Sequence, residues 1–212
     1  MNPSSQPDIR STREKIKDAA SEIFAQKGYA AARMQEIADR AGANKALIYY
    51  YFSSKDALFE AILRESFAEL VANLTELFEV QEPEPEKVIK RLVHVHLQFL
   101  LEHPQLPRLL MRELSSDHAS AAHILADVIM RFSRQKIARL QQLFDKAAAH
   151  HTVRRIDVRQ LVLSIVSLNV FSFVAWPVMQ ILWPAQSRHF DKAMRDREKA
   201  VVDLILHGLL PR

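Results

Sequence analysis

MQEIADRAGANKALIYYYF, residues 34–52, is the stretch that decides how this chain is built. Apolar Met34, Ile37, Ala38 and Ala41 recur at helical spacing. Gly42 follows, the residue type that enters a left-handed turn without a Cβ penalty. Asn44 is a good N-cap, and the second short helix then buries Ile48, Tyr51 and Phe52. Ala38 lets two helices cross closely, Gly42 makes the turn, and Ile48 plugs the crossing. That is the geometry of a helix-turn-helix, whose second helix enters the DNA major groove. The outward residues are Asn44, Lys45, Ala46, Tyr49 and Tyr50, none of them acidic. Taken alone, the motif also fits a helical hairpin in any all-α protein.

The flanks narrow the reading. Ser11 and Glu14 form a capping-box pattern for a helix reaching Lys27, with Ile16, Ala19, Ala20, Ile23 and Phe24 inward. Arg10, Arg13 and Lys17 point outward as candidates for phosphate contact. Phe52-Ser53-Ser54-Lys55-Asp56 starts another helix at once. Lys45 sits in the first turn of the second motif helix, where side chains meet base edges. Tyr49 and Tyr50 present hydroxyls to phosphates, and Lys55 stands at an anion-friendly helix N-terminus.

Over about residues 10–65 the chain resembles the tetracycline-repressor (TetR) family. The segments are IxxAAxxIFAxKGY (Ile16 to Tyr29), IAxRAG (Ile37 to Gly42) and IYYYFxSKxxL (Ile48 to Leu58). The resemblance implies a cytoplasmic homodimeric regulator, a repressor, bound to a palindromic double-stranded DNA operator and released by a small, largely apolar effector. It makes Lys55 a phosphate clamp. Arg33 stands where the family often has a phosphate-touching, helix-capping Thr, so the capping hydroxyl is replaced by a longer cationic donor. Ala46-Leu47 replaces a frequent Gly-Thr, so no base preference transfers.

Composition sets the bounds. The chain is 49% apolar with three Gly and nine Pro, which favours an all-α globule. It has no Cys, so disulfide scaffolds and thiolate chemistry are excluded. A net charge of +4 permits nucleic-acid binding without diagnosing it. MNPSSQPDIR at the N-terminus lacks an apolar signal core. His94 and His96 lie on different helix faces, and no glycine-rich phosphate loop or nucleophile elbow is present. No enzyme activity, metal or cofactor is expected. Gln160 to Ser187 is uncharged and of bilayer length. Its Ser164, Ser167, Asn169, Pro177 and Pro184 favour instead a helix buried on two sides in a soluble dimer, with no membrane partner.

The expected architecture is an N-terminal three-helix helix-turn-helix domain followed by a larger helical ligand-binding and dimerisation domain, about nine helices in all. Residues 1–9 form a disordered tail, 10–56 the DNA-binding domain, 57–80 a connecting helix, and 87–212 the effector-binding and dimerisation domain. QEPEPE, residues 81–86, breaks the chain between them. The last helix turns Ala193, Ala200, Val201, Leu204 and Ile205 inward. Dimerisation is expected through Leu161 to Trp176 and Val201 to Leu210, which would set two heads ~34 Å apart on one side of a duplex. Phe67, His96, Phe99, Leu100, Met111, Phe132, Phe171 and Trp176 are the candidate pocket lining, with His96 as a polar anchor. Ordinary core is the competing reading for each. Two other functions fit the sequence: a small-molecule-binding helical protein without operator recognition, and a sequence-tolerant architectural DNA binder. Salt dependence of binding separates them.

Overall fold

The computed structural model describes residues 11–74, 84–115 and 119–209, excepting the side chains of 119–121, 125, 128 and 131–134. The expected tail, Arg10, the chain between residues 75 and 83, Leu210 and the Phe132 side chain lie outside the described residues. Ten α-helices and no strand occur among the described residues. Helices α1 (Thr12–Lys27), α2 (Met34–Ala41) and α3 (Lys45–Tyr51) form the head. Helix α4 (Lys55–Asn73) leads away from it. Then come α5 (Pro85–Glu102), α6 (Leu106–Leu114), α7 (Ala119–Ala149), α8 (Val158–Val174), α9 (Trp176–Leu182) and α10 (Phe190–Leu209).

Local chemistry explains the boundaries. Ser11 accepts from the Glu14 amide at 3.3 Å while Glu14 accepts from the Ser11 amide at 2.9 Å, the reciprocal capping box. Gly42 sits in the left-handed region at φ 64°. Ala43 N–H reaches Ala38 C=O at 2.9 Å and Gly42 N–H reaches Asp39 C=O at 3.3 Å, a Schellman closure. A Cβ on Gly42 would meet nothing within 4 Å, so the requirement is conformational rather than steric. Asn44, Ser54 and Asp157 cap α3, α4 and α8 with their side chains. Pro85 opens α5 instead of breaking the chain there, because a first-turn proline gives up no helical hydrogen bond.

Two apolar clusters result. One joins Ile16, Phe24, Ile37 and Ile48 of the head to Phe59, Leu63, Leu97, Leu109 and Met194. The other packs Ile89, Val93, Leu140, Phe144, Ile165 and Val201 at the far end. The head is therefore welded by α4 and α6 to the rest of the chain. Helix α5, buried nearly all round, is central as its composition predicts. The uncharged stretch breaks at Ala175, where α8 and α9 meet at 65°. No single helix among the described residues is long and apolar enough to cross a membrane. Two expectations for α10 fail: Ala200 and Leu204 face outward, because Val201 and Ile205 already fill the inner stripe.

Candidate functional site

On α3, Ile48 and Phe52 are buried and anchor the helix, which turns Asn44, Lys45, Ala46, Tyr49 and Tyr50 outward together. Lys45 Nζ lies 5.9 Å from the centre of the Tyr49 ring, within cation–π range. Asn44 uses its Oδ1 on the Leu47 amide at 2.7 Å, which leaves its amide nitrogen as a donor. Arg33 occupies the N-cap of α2, exposed and without a side-chain cap bond. Glu36 is held below the usual carboxylate range by a hydrogen bond from Lys27 and, more weakly, by the Arg33 amide.

Other cations of the head are paired within it or with α4. Arg13 meets Glu65 at 2.7 Å with its guanidinium over the Phe52 ring, Lys17 also meets Glu65, and Arg40 meets Glu22. Arg13 and Lys17 are thus engaged by Glu65. Lys55 is held in a similar way. Its ammonium donates to the carbonyls of Tyr29 at 2.8 Å, Ala32 at 3.1 Å and Ala30 at 3.3 Å, beneath the Tyr29 ring. An ammonium has three donors, so Lys55 ties the α1–α2 turn with the donors that a phosphate contact would also use. Tyr51, expected in the core, is 39% exposed. Phe52 takes the inner position at the end of this short helix and leaves Tyr51 at the rim.

Behind the head, α4 to α8 and α10 enclose a cavity of about 730 Å³, within the ~300–1,000 Å³ span of small-molecule sites. Phe67, His96, Phe99, Leu100, Met111 and Phe171 line it as expected. Trp176 does not. The turn at Ala175 sends it against Phe190, ring centres 4.7 Å apart. Sequence reasoning missed Arg197 and Lys136, the two charged residues among those described in the wall. His96 is kept neutral by burial, its pKa pushed down to about 4. Its Nδ1 accepts from the Asn169 amide at 3.2 Å, so the ring hydrogen sits on Nε2. Nearby, Arg197 donates from Nη2 to Leu168 C=O at 3.1 Å, while its Nε is buried without an acceptor. Asn169 Oδ1 is likewise unpaired. Each such group costs about 1–3 kcal/mol.

Helix α6 touches both regions. Its Leu106, Leu110, Met111 and Leu114 line the cavity. From the same helix, buried Glu113 accepts the Tyr29 amide at 2.7 Å and Arg112 Nη1 donates to Gln26 C=O at 2.7 Å. The bonds land on the last turn of α1 and on the α1–α2 turn that Lys55 braces. Gly28 makes the close approach possible, since a Cβ there would stand 2.7 Å from Arg112 Nε.

Residues 16–62 match the family described as bacterial regulatory proteins, tetR family, and residues 85–205 match the tetracyclin repressor-like C-terminal domain. The chain belongs to the TetR family. Among TetR-type relatives, the transcriptional activator FasR of Mycolicibacterium smegmatis is 28% identical over 74% of this chain and 68% of its own length. The transcriptional repressor NicS of Pseudomonas putida is 30% identical, over 48% of each chain. The fold is that of the regulator FadR from Bacillus subtilis, solved in complex with stearoyl-CoA: TM-score 0.69, 18% identity, covering 92% of this chain and 98% of that one. This TetR-family chain is therefore an all-α helix-turn-helix transcriptional regulator, with α3 as the second helix of the motif.

Proposed function

We propose that the chain acts as a homodimeric repressor that reads a palindromic operator with α3 and releases it when a long apolar effector fills the cavity. The observation that carries this reading is the acid-free outward face of α3, on a head whose Arg13, Lys17, Arg40 and Lys55 are engaged internally. Lys45 and Asn44 would meet base edges and Ala46 a thymine methyl. Arg33, Tyr49 and Tyr50 would hold the phosphate backbone and fix register. Lys55 acts one step back, by shaping the turn behind them.

Pairing of two copies is supported by outward Leu163 and Phe171 on α8 and Leu204 on α10, beside small Ser164, Ser167 and Ala200. FadR of Bacillus subtilis carries stearoyl-CoA, and the apolar wall of the present cavity suits a ligand with a similarly long chain. Helix α6, shared by cavity and α1–α2 turn, is the route by which filling one would tilt the other. The ligand must bind the released arrangement better than the operator-bound one.

Genomic fragments captured by the purified protein, followed by footprinting, test the reading. A two-fold symmetric footprint with half-sites about one helical turn apart, bound by a species that sediments as a dimer, is the expected result. A stable monomer at micromolar concentration, or a footprint without symmetry, overturns it.

A further inference from the structure

The geometry points to an anionic head-group site inside the cavity: we infer that Arg197 and His96 hold the carboxylate of a long-chain monocarboxylic acid whose tail lies on the apolar wall. This rests on the reading of the cavity as an effector site.

Consecutive residues of α8 bring the two groups to one level. Arg197 is tethered to Leu168 C=O, and His96 is tethered to the Asn169 amide. Each tether leaves a donor over. Arg197 Nε–H is buried and has no acceptor among the described residues. The His96 Nε2–H belongs to a ring that lines the cavity. The unpaired acceptor nearby, Asn169 Oδ1, belongs to a residue that is not among the described lining, so the two leftover donors favour a ligand that accepts. A carboxylate supplies two oxygens and binds guanidinium through charge-assisted bonds, stronger than neutral ones.

Charge makes the same choice. Among its described residues the wall contains Arg197 and Lys136 and no Asp or Glu. Arg197 has no acidic partner among the described residues, which is unusual for a half-buried arginine beside apolar surface. A cationic ligand would meet like charge, and a hydrocarbon would leave the Nε donor unmet. Lys136, the other charged residue described in the wall, donates to Val71 C=O at 3.4 Å, and Phe67, Phe99 and Met111 offer no charge to a second polar end. The head group is therefore single and the tail unsubstituted.

Calorimetric titration of the full chain with laurate, 1-dodecanol and lauroyl-CoA tests this. Laurate should bind at least tenfold tighter than 1-dodecanol, the difference a charge-assisted hydrogen bond makes. Arg197→Gln should bring the two within about twofold of each other while 1-dodecanol binding is kept, and Arg197→Lys should restore part of the preference. Equal binding of laurate and 1-dodecanol by the unaltered chain overturns the head-group site but leaves the apolar cavity standing, as does binding of lauroyl-CoA without laurate. Failure of all three to bind removes the cavity reading itself, and the head-group site with it. The comparison within the unaltered chain needs no variant, so it decides the matter even if Arg197→Gln misfolds.

Discussion

The head and the cavity domain differ in how they hold their cations. In the head, Lys55 is held by carbonyls of one turn, Arg13 and Lys17 by Glu65, Lys27 by Glu36 and Arg40 by Glu22. Around the cavity, Arg197 Nε and Asn169 Oδ1 are buried with nothing to bond, and about 730 Å³ is left unpacked. A surface that reads DNA must arrive in one shape, because a misplaced base contact is a lost one. A sensor must leave something for its ligand to complete. The head leaves Glu36 Oε2 unpaired, while the cavity domain leaves Arg197 Nε and Asn169 Oδ1 unmet. We read the first as the reader and the second as the receiver, with α6 joining them.

The sharpest way to break the contrast is to unlock the head. Lys55→Met should lower stability by about 2–3 kcal/mol, the worth of hydrogen bonds from a charged donor. Operator and random duplex should then weaken together, as measured by polarisation alongside denaturant unfolding. Weaker binding with unchanged stability and a smaller salt slope would instead make Lys55 a direct phosphate contact.

His96 offers a cut on the receiver's side. Burial holds its pKa at about 4 against an ordinary 6.5. Between those values the unfolded chain binds a proton that the folded chain refuses, so stability falls as pH drops through that window. The loss reaches about 3 kcal/mol below pH ~4. Unfolding curves for His96→Leu should lack this component and, if the ring anchors the effector, show a weaker effector response with operator affinity intact. Loss of effector response and operator binding together would give His96 a structural role.

A finer change separates reader from receiver. Gly28 has φ 83° and ψ 160°, a region open to little but glycine. Gly28→Ala should cost about 1–3 kcal/mol and push Arg112 off the turn. Operator binding should persist while the effector loses much of its power to release it. Unaltered release in a gel-shift titration would mean that coupling does not run through α6.

The sequence disclosed the reader far better than the receiver, for physical reasons. Capping boxes, a left-handed glycine and helical periodicity act within a few residues, so Ser11, Gly42, Asn44 and Ile48 could be placed from their neighbours. The hold of Lys55 on the α1–α2 turn was not legible because its partners lie more than twenty residues upstream, and nothing local marks those carbonyls as its target. Tyr51 was misjudged because periodicity does not say which of two adjacent aromatics closes a short helix. Trp176 follows a break that redirects its side chain. Arg197 sits in DKAMRDREK, which reads as a solvated charged run, and only tertiary packing sets it against apolar surface.

The most direct measurement is the affinity of Lys45→Ala for its own operator and for a random duplex across a salt series. If α3 reads bases, the gap between the two duplexes should shrink by about 1–3 kcal/mol, with the random duplex little affected. An equal loss on both duplexes, or no loss at all, would contradict recognition through this helix.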